Sequence, residues 1–316
     1  MNKTAIIIIL LTLILSSCSI ARHSTDDPKQ SVENTVGLLQ ERLNAYIKQK
    51  DARIGVAVII NGKDTVGVND AKEFPMMSVF KFPLALAVAD FCRTRDIDLS
   101  DSITIRADEI KENTWSPMRD KYGIKNLKLS VPELLDYILQ QSDNNACDIL
   151  IRFIGGPSVA DSLMKKLGCG DILISQTEDD MHRNPDLCYL NRTTPIAMAR
   201  LFDLFYRQGM CHDSLLHEFI AKSMMACKTG LDRLPAPLES TDARIGHKTG
   251  TGDKNSQGRI IAVNDAGHIF MTDGNEYSIA VFVADSPYDM NETSKIIADI
   301  SKIIFSSIHQ HPSLCR

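Results

Sequence analysis

The chain of 316 residues is too long for a small disulfide-stapled module and long enough for one large domain or two intimate sub-domains. Its 44% hydrophobic and 24% charged residues lie near the globular average, which excludes wholesale disorder, collagen and coiled coil. The net charge of −5 leaves no basic footprint for nucleic-acid binding.

Lys3 precedes the apolar run 5–15, too short to span a bilayer comfortably and suited to the core of an export signal. Leu15-Ser16-Ser17-Cys18 resembles a bacterial lipobox, in which the cysteine is lipidated and becomes the new N-terminus. The expectation is a signal peptide over 1–17, membrane attachment through lipid on Cys18, and a periplasmic location. An ordinary signal peptide cut nearby would leave Cys18 incidental. Residues 18–34 are polar and aperiodic, and read as a flexible tether.

Leu39, Leu43, Tyr46 and Ile47 give residues 36–50 a helical period. Residues 53–60 are β-branched and read as a buried strand, with 65–68 as its hairpin partner across Asn61-Gly62. Residues 78–94 form an apolar, helix-length stretch starting at a serine. Ser130-Val131-Pro132-Glu133 is a capping box opening a helix through Gln141. Helical patterns follow at 145–154, 158–167, 195–208 and 214–226. Strands return at 242–249, 259–270 and 277–284, and a last helix covers 291–308. This order predicts an α+β fold: an antiparallel sheet flanked by N- and C-terminal helices, with an all-helical sub-domain inserted. Residues 36–70 plus 227–312 would form the α/β part and 71–226 the helical part of one catalytic unit.

The eight cysteines are Cys18, Cys92, Cys147, Cys169, Cys188, Cys211, Cys227 and Cys315. Export permits disulfides, but the spacing names no pair. Cys147 and Cys227 lie in apolar helical stretches and read as small core residues. No Cys/His spacing suggests zinc, including that of His212 and His217, so no metal and no organic cofactor is expected.

Three short motifs carry chemistry. In Ser78-Val79-Phe80-Lys81, a helix places the lysine amine on the face of the serine hydroxyl. Serine needs an adjacent base to act as a nucleophile, and a lysine in apolar surroundings can serve. Ser142-Asp143-Asn144 sits at a helix boundary; it suits an N-cap, and equally a proton relay (Ser142) with a substrate-binding amide (Asn144). Lys248-Thr249-Gly250-Thr251-Gly252 closes a strand, where a cation and a hydroxyl can grip a carboxylate. A second Lys228-Thr229-Gly230 follows a helical run without a strand to present it. It reads as a helix C-cap and a decoy.

SxxK, SDN and KTG in this order make the chain resemble the penicillin-recognising serine enzymes. The 64-residue spacing from Ser78 to Ser142 and the sub-domain order look like class A β-lactamase, closest to the extended Ω-loop cephalosporinases of anaerobic gut bacteria. The resemblance covers about residues 36–310. It implies Ser78 as acylated nucleophile, Lys81 as its base, and Ser142 as proton shuttle to the lactam nitrogen. It implies Asn144 on the substrate's side-chain amide, Lys248 and Thr249 on its carboxylate, and an oxyanion hole from the backbone N–H groups of Ser78 and Thr251. Trp115 would stand at the mouth of the site, or else pack in the core. Arg233 matches a position where some members carry an arginine supporting the carboxylate clamp.

The family's usual Glu followed four residues later by Asn is not found; the chain has Glu178-Asp179-Asp180-Met181-His182. Counting back from Asn191 places Glu178 at the deacylation base and His182 at the usual Asn, a histidine that the cephalosporinase branch shares. Asp179 is the alternative if the register slips by one. The resemblance implies a monomeric hydrolase of β-lactam antibiotics, leaning to cephalosporins. Two alternatives are a penicillin-binding transpeptidase or carboxypeptidase that acylates and stalls, and a lipid-tethered binding protein with a degenerate site.

Overall fold

The computed structural model describes residues 28–207 and 215–310, with side chains from residue 35 onward. The export signal, Cys18, Cys211, His212 and Cys315 lie outside the described residues. In chain order the elements are α1 (Pro28–Ile47), β1 (Arg53–Ile60), β2 (Asp64–Val68), β3 (Phe74–Pro75), α2 (Lys81–Thr94), β4 (Ser102–Ile105), α3 (Pro117–Tyr122), β5 (Leu127–Ser130), α4 (Val131–Gln140), α5 (Asn144–Ile154), α6 (Pro157–Lys166), α7 (Glu178–Arg183), β6 (Arg192–Thr193), α8 (Pro195–Tyr206), α9 (Leu215–Met225), β7 (Arg244–Thr251), β8 (Ile260–Phe270), β9 (Glu276–Ser286) and α10 (Met290–His309). The fold is α+β. Five strands form one antiparallel sheet in the order β2-β1-β9-β8-β7. Two short ribbons, β3·β6 and β4·β5, stand apart from it.

The unbroken apolar run of β1 is explained by burial on both faces. Val56, Val58 and Ile60 pack with Leu39, Leu43 and Ile47 of α1 and with Ile297, Ile300 and Ile304 of α10. Ala57 and Ile59, one residue out of phase, join the helical layer on the other face. That second face is built from small residues, among them Ala266, Ala280 and Ala284, which lets α8 approach closely. A Cβ at Gly55 would strike the Phe74 and Pro195 rings. Within the helical layer Phe82 of α2 stacks on Phe202 of α8 at 4.2 Å. The predicted box at α4 forms: the Ser130 hydroxyl accepts the Glu133 N–H while Glu133 accepts the Ser130 N–H.

Helix α1 starts at Pro28, so the later part of the segment expected as a tether is helical. Proline suits the first turn, where its missing N–H costs nothing. Strand β7 runs two residues past the predicted end and takes in Thr251, because its pairing with β8 continues to Thr251–Val263. The ribbons, α3 and α7 were not predicted; they are too short for periodicity to register. Among the described residues no helix is long and apolar enough to cross a membrane.

Candidate active site

Ser78 lies in a 3-10 turn (Met77–Phe80) that runs directly into α2, rather than in the first turn of an α-helix. Residues three apart eclipse in such a turn. Lys81 Nζ therefore reaches Ser78 Oγ at 2.9 Å from a fully buried position. Met77 is left-handed (φ +46°), a conformation that costs a side-chain-bearing residue about 1–2 kcal/mol. The turn is held by the sheet. Buried Asn264 of β8 donates to the carbonyls of Pro75 (2.8 Å) and Met76 (3.0 Å). Strand β7 lies so close that a Cβ on Gly250 would collide with the Met76 carbonyl and sit 3.1 Å from the Ser78 nitrogen.

The Ser142-Asp143-Asn144 segment supplies the expected N-cap and stands beside Lys81. Asp143 caps α5 through the Ala146 N–H, and its buried carboxylate also accepts from Ser116 Oγ and the Met118 N–H. Burial pushes that carboxyl up, against these hydrogen bonds. Ser142 is left-handed (φ +59°). Its Oγ accepts from Lys248 Nζ at 3.0 Å and lies 3.4 Å from Lys81 Nζ, so it bridges the two lysines. Lys81 also donates to the Ser142 carbonyl (2.9 Å) and to Asn144 Oδ1 (2.6 Å), while Asn144 Nδ2 donates to Thr114 Oγ1. Trp115 is 61% exposed and donates its indole N–H to the Gln141 carbonyl, so it is not a core side chain.

Glu178 opens α7 behind the N-cap Thr177. Its Oε1 pairs with Lys81 Nζ at 2.7 Å and accepts from Ser78 Oγ at 3.3 Å. Asp179 instead pairs with Arg183 at 3.2 Å. His182, four residues after Glu178, lines the same cleft, whose volume is about 140 Å³ and whose walls include Ser78, Asn144, Thr251 and Gly252. Sequence reasoning missed the support beneath Glu178. The Asp148 carboxylate on α5 accepts the Glu178 N–H (2.7 Å) and the Asp179 N–H (2.9 Å). Burial and the neighbouring Glu178 charge push its pKa up to about 7. Asn191, used above only as a counting mark, holds the start of the loop: its Oδ1 accepts from the Ser175 and Gln176 N–H groups.

On β7, Lys248 is fully buried, and burial lowers its pKa to about 8. Arg233 is also buried; it donates to the carbonyls of Gly250 (3.1 Å) and Asn264 (3.0 Å) and to Thr251 Oγ1 (2.7 Å), tying the strand's end in place. The Lys228-Thr229-Gly230 segment, set aside as a decoy, packs against the KTG strand. Thr229 Oγ1 lies 2.6 Å from Thr249 Oγ1. Cys227 falls outside α9, not in a helix as expected, whereas Cys147 is a buried core residue of α5. The five described cysteines, Cys92, Cys147, Cys169, Cys188 and Cys227, are buried and unpaired. No cluster of His, Cys, Asp and Glu among the described residues could hold a metal ion.

The arrangement offers a serine in reach of an ammonium and a carboxylate, with a second ammonium one hydroxyl away. The chain matches the model of the beta-lactamase enzyme family over residues 38–308. A beta-lactamase from Bacteroides uniformis is 36% identical over 270 residues, covering 85% of this chain and 91% of the relative. The crystal structure of a class A beta-lactamase from Bacteroides cellulosilyticus superposes with a TM-score of 0.81 at 36% identity, covering 90% of this chain and 99% of that one. The TLA-1 extended-spectrum beta-lactamase structure gives a TM-score of 0.83 at 36% identity, covering 87% and 99%. With one unbroken match spanning both the sheet and the helical layer, and the three motifs converging on one cleft, the chain belongs to the beta-lactamase enzyme family, in its class A branch.

Proposed function

We propose that the protein hydrolyses β-lactam antibiotics, cephalosporins foremost, through an acyl-enzyme on Ser78 that a Glu178-activated water releases. The observation that carries this reading is the simultaneous approach of Lys81 Nζ and Glu178 Oε1 to Ser78 Oγ, at 2.9 and 3.3 Å. Both partners belong to one ion pair, so the proton lost by Oγ on attack has an acceptor within hydrogen-bond reach. Ser78 Oγ bonds to the lactam carbonyl carbon, and the backbone N–H groups of Ser78 and Thr251 receive the oxyanion. As the lactam C–N bond breaks, Ser142, which bridges Lys81 and Lys248, passes a proton to the departing nitrogen. Glu178 then takes a proton from a water held between it and His182; the hydroxide adds to the ester carbonyl, the C–Oγ bond breaks, and the proton passes from Glu178 to Ser78 Oγ, restoring both groups. Lys248 and Thr249 hold the substrate carboxylate, and Asn144 its side-chain amide. Trp115 stands at the mouth. Thr251 and Gly252 line the cleft, and the similar TLA-1 enzyme carries an extended-spectrum name. The lipobox reading completes the proposal: export to the periplasm and lipid on Cys18 would hold a monomeric enzyme on the membrane.

Ring opening of a cephalosporin followed alongside intact protein mass tests this. Steady turnover with little adduct is expected of the wild type. Glu178→Gln should accumulate a stoichiometric acyl adduct, its release slowed about 10²–10⁴-fold, the usual contribution of a positioned base. Free turnover by Glu178→Gln would refute the base. A wild type that forms a stable adduct after one burst would be a penicillin-binding protein instead.

A further inference from the structure

Beside the KTG strand lies a second set of ionisable groups that the reaction at Ser78 does not use. Cys227 and the His247 imidazole are near enough that each shifts the ionisation of the other. His247 Nδ1 lies 2.9 and 3.1 Å from the two carboxylate oxygens of Asp265 on β8. All three side chains are buried. The Cys227 sulfur also lies 3.4 Å from Thr229 Oγ1, whose 2.6 Å contact ends on Thr249 Oγ1. A path of contacts thus runs from the Cys227 sulfur to the hydroxyl proposed to hold the substrate carboxylate, with the His247–Asp265 pair acting on that sulfur by charge.

We propose that Asp265, His247 and Cys227 are positioning residues for the carboxylate site, orienting the Thr249 hydroxyl through Thr229 and setting the Cys227 sulfur against Lys248. This rests on the reading of Lys248 and Thr249 as that site. A cysteine lodged in a dry core should be a neutral thiol, and burial does push Cys227 that way; His247 and Lys248 outweigh it and bring the thiol below its usual range. Burial likewise opposes a charged His247, but Asp265 and Cys227 overcome it and hold the ring up as imidazolium. Lys248 is lowered first by burial and then by Lys81 of α2, and is supported by Cys227, Asp265 and Glu178 of α7. Arg233, which faces Asp265, Asp232 and Cys227, is the remaining cation of the cluster. Negative and positive groups therefore alternate from Asp265 to Lys248, and removing the sulfur leaves Lys248 with one anion fewer.

The test compares wild type, Cys227→Ala, Cys227→Ser and Cys227→Asp on a cephalosporin and on its carboxylate ester, as kcat and KM across pH 6–10. For Cys227→Ala the expected result is a KM raised roughly three- to tenfold on the acid, the range spanned by one hydrogen bond, with little change in kcat. The alkaline limb of kcat/KM should move down by about one unit, the size of effect an adjacent opposite charge has. Cys227→Asp should restore the limb, and the ester should be insensitive to all three changes. Folded wild type should also show a thiolate absorbance step below the ordinary thiol range that Cys227→Ser lacks. Limbs that coincide in wild type, Cys227→Ala and Cys227→Asp would overturn the proposal, as would a wild type without that step, a reading that stands even if a variant fails to fold. A wild type that does not distinguish acid from ester would instead refute the carboxylate reading of Lys248 and Thr249.

Discussion

Replacing Asp148 by Asn tests whether the floor under Glu178 is held by a buried charge. The Asp148 carboxyl goes from 3.8 to about 7 on folding, chiefly through burial and then through the Glu178 charge, against the two N–H bonds it accepts. Because the folded value is the higher one, the folded chain binds more protons between pH 4 and 7. Stability attributable to this group therefore falls as pH rises through that window, and the full cost is present above pH 7. At about 1.4 kcal/mol per unit the cost is roughly 4 kcal/mol. In a chain of this size that corresponds to about 8 °C in melting temperature. Asn removes the charge, and with it the pH-dependent part of the cost. Its NH2 also takes the place of one of the two oxygens, so a donor faces either the Glu178 or the Asp179 N–H and leaves it unpaired, at about 1–3 kcal/mol independent of pH. The melting temperature of Asp148→Asn minus that of the wild type should thus climb steadily from pH 4 to pH 7.5. Deacylation should slow more than acylation, because the unpaired amide lies at the base and not at the nucleophile. The measurement is a pair of thermal melts across this range. Parallel curves for the two proteins would refute the argument, since they would mean that Asp148 ionises alike in the folded and unfolded chain.

Two further substitutions follow from the packing of β7. Gly250→Ala places a Cβ against the Met76 carbonyl and the Ser78 nitrogen, so the strand and the nucleophile turn must separate. Overpacking of this kind costs about 1–3 kcal/mol. Misplacing the oxyanion donors should cut acylation by about 10²-fold, read as single-turnover rate. Arg233→Ala removes the guanidinium bonds to the carbonyls of Gly250 and Asn264 and frees the Thr251 hydroxyl. Chemical denaturation should show a loss of about 3 kcal/mol, and KM should rise more for a cephalosporin than for its carboxylate ester; equal rises on both would place Arg233 in the fold alone.

Much of the sheet was legible because its strands are long and buried on both faces. Residues 53–60 could hardly be read otherwise, and the structure returns them as β1 without a shift. Helix α4 announced itself through its capping box. The ribbons β3·β6 and β4·β5 were invisible because pairs of two to four residues exist only where the chain returns to meet itself. Strand β7 was placed two residues early at both ends for a related reason: its end is decided by β8, through Arg233 and the Thr251–Val263 pairing, and not by its own composition.

The site divides along the same line. Ser78 with Lys81, the Ser142-Asp143-Asn144 segment and Lys248-Thr249-Gly250 were readable because reactivity demands particular side chains at particular local spacings. Residues that act on the backbone or through a third group carry no such signature. Asp148 is one acid on a helix until α7 sets two amides above it. Asn264 is an uncharged residue inside a strand until the β7–β8 register brings it under the Ser78 turn. Thr229 was dismissed because a helix end has no strand to present its hydroxyl; the structure supplies the strand from elsewhere in the chain, 20 residues on. The same register places Asp265 opposite Thr249 and puts its carboxylate on His247. A motif search therefore finds the groups proposed to touch substrate and misses those that hold them. The missed groups lie where topology, not local sequence, makes the contact, and that is where Cys227 and His247 were found.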